Sequence, residues 1–166
     1  MLIRDETAGD APAIRAVVTE AMKLLPQASG TEADIIDRLR AADALSLSLV
    51  AEDRGEVVGY LASSDARIGA EPGWSLIGPL AVVPSRHGEG IGSALMAEAI
   101  LRLRARYEGA ALVGDPGYYG RFGFRTFPKL RVGECPPRFI QALPFNAGEP
   151  QGELIHHSAF GLHQRE

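Results

Sequence analysis

Three alternating glycines in His87-Gly88-Glu89-Gly90-Ile91-Gly92-Ser93 follow an apolar run, Leu80-Ala81-Val82-Val83, and precede an amphipathic one. The first amides of a helix have no partner inside it, and the helix dipole favours an anion there. Glycine puts no Cβ between such amides and a ligand, so the arrangement suits a pyrophosphate gripped by main-chain N–H groups. Two common phosphate loops fail on residue identity. A P-loop closes on Gly-Lys-Ser/Thr, whereas Gly92-Ser93-Ala94 brings no lysine. A dinucleotide fingerprint counted from Gly88 needs glycine at position 93 and a place after the first strand. A turn that merely reverses the chain is the bland reading of the same glycines.

A second cluster, Gly114-Asp115-Pro116-Gly117-Tyr118-Tyr119-Gly120-Arg121-Phe122-Gly123-Phe124, contains Tyr-x-x-x-Gly-Phe. Its tyrosines can pack, or one can handle a proton.

Taken together, the two clusters resemble the GNAT superfamily of N-acyltransferases. Its signature is Gln/Arg-x-x-Gly-x-Gly/Ala after a Leu-Ala-Val-x-Pro strand, matched here at His87–Gly92 and Leu80–Pro84. The Gly-Asp-Pro-x-Tyr-Tyr-x-Arg-Phe-Gly-Phe form is similar to that of a bacterial subfamily, and the likeness covers almost the whole chain. It implies a mixed, mostly antiparallel sheet flanked by helices and splayed at the strand carrying Leu80–Val83. It implies acetyl-CoA as cosubstrate and no metal. The amides matching Gly88, Glu89, Gly90, Ile91, Gly92 and Ser93 would hold the CoA diphosphate, and Leu80, Ala81 and Val82 would pair with pantetheine. Tyr119 would be the general acid for the departing thiolate, since a phenol near pKa ~10 can donate to a thiol sulfur near ~8.5. The acceptor would be a primary amine, small or peptidic, attacking directly. One position departs from the pattern: His87 stands where the family has Gln or Arg.

The general base carries no motif. Glu52, near the end of a central strand, is the first candidate, followed by Asp65 and His157. His156 and His157 are adjacent on an expected strand, so their rings would point to opposite faces. Cys135 beside Pro136-Pro137 has no basic partner in the sequence. A non-catalytic acyl-CoA sensor and a nucleotide-binding module are the rival classes.

The elements that must position these residues read as follows. Leu2–Arg4 is a strand. Ile14, Val17, Val18, Ala21, Met22 and Leu25 recur at helical spacing after caps at Thr7 and Asp10, with an end near Pro26. A second helix spans 31–40. Alternation over 45–51 and 57–62 around Asp53-Arg54-Gly55-Glu56 predicts a hairpin, followed by a polar stretch. Trp74–Val83 is a long strand interrupted by Gly78-Pro79, where a bulge or splay is expected. A helix runs from the glycine loop to about Tyr107. A strand at 110–114, a short helix at 116–122 and a strand at 124–127 come next. Residues 128–151, with five prolines, read as an irregular loop with one short helix at 138–143, and 154–160 as a last strand.

Bulk properties bound the rest. The 166 residues suit one domain, are 46% hydrophobic and 23% charged, and carry a net charge of −4. That balance argues against nucleic acid as a partner. A single cysteine excludes an internal disulfide. An acidic start without an apolar core is not expected to be a signal peptide, and no window suits a membrane span. The expectation is a cytoplasmic enzyme, with a homodimer left open.

Overall fold

The computed structural model describes residues 1–25 and 28–160. Among them run β1 (Leu2–Asp5), α1 (Ala11–Met22), α2 (Glu32–Ala41), β2 (Leu45–Asp53), β3 (Glu56–Ile68), β4 (Glu71–Val82), α3 (Ile91–Arg104), β5 (Gly109–Val113), α4 (Pro116–Tyr119), β6 (Leu130–Arg131), β7 (Ile140–Pro144) and β8 (Gly152–Ile155). The sheet is mixed and mostly antiparallel, with hydrogen-bonded neighbours in the order β1-β2-β3-β4-β5-β7 and with β8 pairing β3 and β6. Contacts divide the chain into two compact units, Met1–Ser63 with Pro79–Ala99 and Ser64–Gly78 with Ile100–Glu166.

In the first unit, the helical spacing of Ile14, Val17, Val18, Ala21 and Met22 buries one stripe of α1 with Ile36 of α2 and Val50, Tyr60, Ala62 and Ala81 of the strands. Ahead of α1, Asp10 closes a 3₁₀ turn at Ala8–Asp10, its Oδ2 accepting from the Thr7 amide at 2.6 Å and the Thr7 hydroxyl at 3.0 Å. The helix stops at Met22, where the Lys23 amide returns to the Thr19 carbonyl; Pro26, the expected end, lies outside the described residues.

In the second unit, β5 pairs parallel with β4 from Trp74↔Gly109 to Leu76↔Ala111 and antiparallel with β7 from Gly109↔Pro144 to Val113↔Ile140. Trp74, Leu76, Ala111, Phe127, Leu130, Ile140, Ala142 and Leu154 form its core.

Several local expectations are corrected. The polar stretch after residue 62 continues β3 to Ile68, with Ser63 and Ser64 buried and the Ser63 hydroxyl satisfied by Ser46 at 2.9 Å. Residues 124–127 form no strand beyond one bridge, Arg125↔Ala142. The helix expected at 138–143 is a 3₁₀ turn, Pro137–Phe139, followed by β7, because Ile140–Pro144 completes the ladder on β5. The last strand ends at Ile155, and Ser158–Phe160 is a 3₁₀ turn. Helix α3 ends at Arg104 rather than near Tyr107, whose hydroxyl reaches Asp65.

Candidate active site

The route to the glycine loop runs along β4. Its parallel ladder with β5 ends at Leu76, two residues before Gly78, so the interruption expected at Gly78-Pro79 is where pairing stops. Beyond it, the Val83 amide bonds the Val58 carbonyl of β3 at 2.9 Å. Main-chain groups alternate sides along a strand. Ala81 therefore faces β3 with its N–H and C=O, and Leu80 and Val82 turn theirs to the opposite edge.

His87 acts on that edge. Its Nε2 lies 2.9 Å from the Val82 carbonyl, so the tautomer protonated there ties the loop to the strand end. A 3₁₀ turn at Pro84–Arg86 then leads to Gly88 and Gly90, at φ +81° and +84°. A Cβ at either would strain the backbone, yet would meet no atom within 4 Å, so the loop opens outward. The Gly90 carbonyl accepts from Ala94 at 3.0 Å and begins α3. The amides from Gly88 to Ser93 meet no protein acceptor among the described residues. Ile91 and Leu95 are buried and anchor the helix that presents them.

Arg86, next to the cradle, is committed elsewhere. Its Nε donates to Glu89 at 2.8 Å and its Nη2 to Asp53 at 2.9 Å. The guanidinium holds the Asp53 carboxyl below the ordinary range. With Arg54 and Glu56 these residues line an open cavity of about 580 Å³. Arg86 is thus shared between two carboxylates, while the main-chain amides of the loop keep their donors.

Tyr119 belongs to the second unit. The Asp115 carboxylate accepts from the Gly117 amide at 3.0 Å, and the Asp115 carbonyl from the Tyr118 and Tyr119 amides at 3.1 and 3.0 Å. With Pro116 at its first turn, this folds α4 back over the end of β5. The Tyr119 ring then rests on Gly114: a Cβ there would lie 2.5 Å from Cε2. Its edge faces Tyr118 at 4.9 Å and Phe124 at 6.5 Å. The Tyr119 hydroxyl makes no hydrogen bond among the described residues. Burial, then the neighbouring Tyr118 and Asp115, push its pKa well above the ordinary phenol value, so it stays protonated at physiological pH.

Glu52 sits on β2 opposite Leu2 of β1, and its Oε1 accepts from Arg4 Nη2 at 3.1 Å. Arg4 also donates to Asp10 at 2.7 and 3.1 Å. Glu52 and the glycine loop thus share the first unit, with Oε2 of Glu52 making no hydrogen bond among the described residues. Asp65 accepts from the Tyr107 hydroxyl at 2.5 Å, and His157 Nδ1 from the Ala159 amide at 3.0 Å. His156 and His157 follow β8 rather than lying on it, so the opposite-faces argument falls; the His156 ring packs on Phe160. Burial raises the Cys135 thiol. No group of three or more His, Cys, Asp or Glu among the described residues could hold a metal, and no described helix is long and apolar enough to cross a membrane.

One residue near Tyr119 went unread in the sequence: Gln141, buried on β7, donates from Nε2 to the Gly114 carbonyl at 3.1 Å. A lone amide inside the apolar Ile140-Gln141-Ala142-Leu143 was the available signal.

The model of the acetyltransferase (GNAT) domain matches residues 45–126. The N-acetyltransferase YhbS of Escherichia coli (strain K12) is 37% identical over 127 residues, covering 75% of this chain and 73% of its own. A GNAT family acetyltransferase from Brucella melitensis, solved in complex with acetyl-CoA, is 43% identical at a TM-score of 0.85 over 96% of this chain and 97% of its own. YhbS from Escherichia coli, solved in complex with CoA, matches at a TM-score of 0.88 with 31% identity over 96% of this chain and 91% of its own.

Proposed function

Because the chain belongs to the GNAT acetyltransferase family, we propose that it moves the acetyl group of acetyl-CoA to a primary amine, small or peptidic, by direct attack in the cytoplasm. The proposal takes 1–166 as a single acyltransferase domain. The observation that carries it is the row of acceptor-free amides from Gly88 to Ser93 at the mouth of α3. They suit a diphosphate by geometry and dipole together.

In this reading pantetheine adds to the outward edge of Leu80 and Val82, where the ladder with β5 has already ended. Ala81, turned to β3, packs beneath it. An amide of that edge polarises the thioester carbonyl as charge develops on its oxygen. The amine nitrogen bonds to the carbonyl carbon, the carbon–sulfur bond breaks, and the amine proton leaves to a base, for which Glu52 offers Oε2. Tyr119 protonates or hydrogen-bonds the departing thiolate; a hydroxyl without a protein partner among the described residues supports that role. The solved relatives with acetyl-CoA and CoA support the cosubstrate.

Two substitutions test this. Tyr119→Phe lowers kcat about 10- to 100-fold with KM for acetyl-CoA little changed; unchanged turnover removes the assigned role. Gly90→Val, at φ +84°, abolishes CoA binding in calorimetry while the fold persists, and normal affinity would reject the cradle.

A further inference from the structure

The stretch of main chain under Tyr119 is held from several sides. The Gly114 amide donates to the Phe139 carbonyl at 2.9 Å, and the Gly114 carbonyl accepts from Gln141 Nε2 at 3.1 Å. The Tyr119 ring covers the Cα between them. The next residue, Asp115, receives the Tyr118 and Tyr119 amides on its carbonyl. Gln141, Gly114, Asp115 and Tyr119 therefore form one short mechanical chain within the second unit.

Gln141 sits opposite Leu112 in the β5–β7 ladder and is 1% exposed. Its Oε1 is buried without a hydrogen bond among the described residues. An unmet buried acceptor is a cost that a methionine of similar volume would not carry. What the amide contributes here is the single bond made by its nitrogen.

We propose that Gln141 is a positioning residue for the reaction: by fixing the Gly114 carbonyl it sets the tilt of the Gly114–Asp115 peptide, and through it the place of the Tyr119 hydroxyl. The inference rests on the reading of Tyr119 as proton donor. Proton transfer demands close alignment, so a small rotation of this peptide shows in turnover before it shows in binding.

The test uses the full chain labelled with 3-fluorotyrosine, whose four resonances include that of Tyr119, identified by its loss in Tyr119→Phe. Gln141→Met is expected to move or broaden the Tyr119 signal and leave those of Tyr60 and Tyr107 in place. Gln141→Glu keeps the length and offers a donor to the Gly114 carbonyl only when protonated. Its Tyr119 signal is expected to return toward the native position as pH falls. An unmoved Tyr119 signal in both variants overturns the proposal.

Turnover, read as thiol release from acetyl-CoA with n-butylamine as the probe acceptor, completes the cycle. Gln141→Met lowers kcat about tenfold in the native background and adds nothing in Tyr119→Phe. Equal losses in both backgrounds overturn the positioning role while leaving Tyr119 as donor. A Tyr119→Phe variant with native turnover sinks the donor reading, and the positioning role of Gln141 with it.

Discussion

In the first compact unit arginines meet carboxylates: Arg4 reaches Asp10 and Glu52, Arg40 reaches Glu6 and Asp37, and Arg86 reaches Asp53 and Glu89. In the second, four lie over rings, Arg104 on Phe145, Arg121 on Tyr118, Arg125 on Phe127 and Arg138 on Phe139, at 4.3 to 4.6 Å, while Arg131 reaches Glu153 at 3.8 Å. Composition follows the same division, with seven basic and thirteen acidic residues in the first unit against ten and eight in the second. The net charge of −4 is the sum of two unlike parts, −6 and +2. It also hides where an anion can sit: beside the glycine loop Arg86 is already bonded to two acids, and the loop amides meet no protein acceptor among the described residues.

The largest test of this contrast is stability. Arg4→Met leaves the nearly buried Asp10 without its cation and costs about 2–3 kcal/mol in urea unfolding. Arg125→Met, which removes a ring contact, costs about 0.5–1 kcal/mol. Equal costs would erase the distinction.

Acid is the next lever. Hydrogen bonding to Arg4 holds the Asp10 carboxyl well below the carboxylate range. Its contribution is therefore complete above an unfolded value near ~4 and lost only as pH falls through the lower folded value. Burial lowers His156 from its ordinary value, so the folded state favours the neutral ring. That contribution is complete above about 6.5 and declines as pH drops through the folded pKa. Trp74, buried in the second unit, should change its emission at a higher pH than the one at which α1 and α2 lose helicity by circular dichroism. His156→Asn should remove the early step, and simultaneous transitions in the native chain would contradict the assignment.

The smallest effect concerns Arg86. Arg86→Ala leaves Glu89 without its cation and Asp53 with only the Met1 amino group at 3.7 Å, beside the loop proposed to hold the diphosphate, and weakens CoA binding about two- to fivefold at low salt, a deficit that shrinks as salt screens it. Arg138→Ala, stacked on Phe139, should leave the calorimetric affinity unchanged.

What could be read from sequence was what is encoded locally. The proposed glycine cradle occupies six consecutive residues, Gly88 to Ser93, and such a site needs only amides and absent side chains. The stripes of α1 and α2 declare themselves by spacing. By contrast, β7 is five residues ending in Pro144, and only its distant partner β5 makes it a strand rather than a helix. Ser63-Ser64-Asp65 looks like a loop until Ser46 is seen to satisfy one of its hydroxyls. The Tyr119 motif was visible, but the grip of Gln141 on the Gly114 carbonyl beneath it joins residues 27 apart in sequence. His87 departs from the family pattern, and its bond to the Val82 carbonyl gives that departure a use that spacing could not supply.

The ladder between β4 and β5 ends at Leu76 while β4 itself runs on to Val82. Past that point the border bearing Leu80 and Val82 lies outside the β5 ladder, and His87 Nε2 already meets its Val82 carbonyl at 2.9 Å. Exchanging one apolar side chain for another at 80 or 82 leaves that row of peptide groups in place, because the main chain carries it whatever the residue.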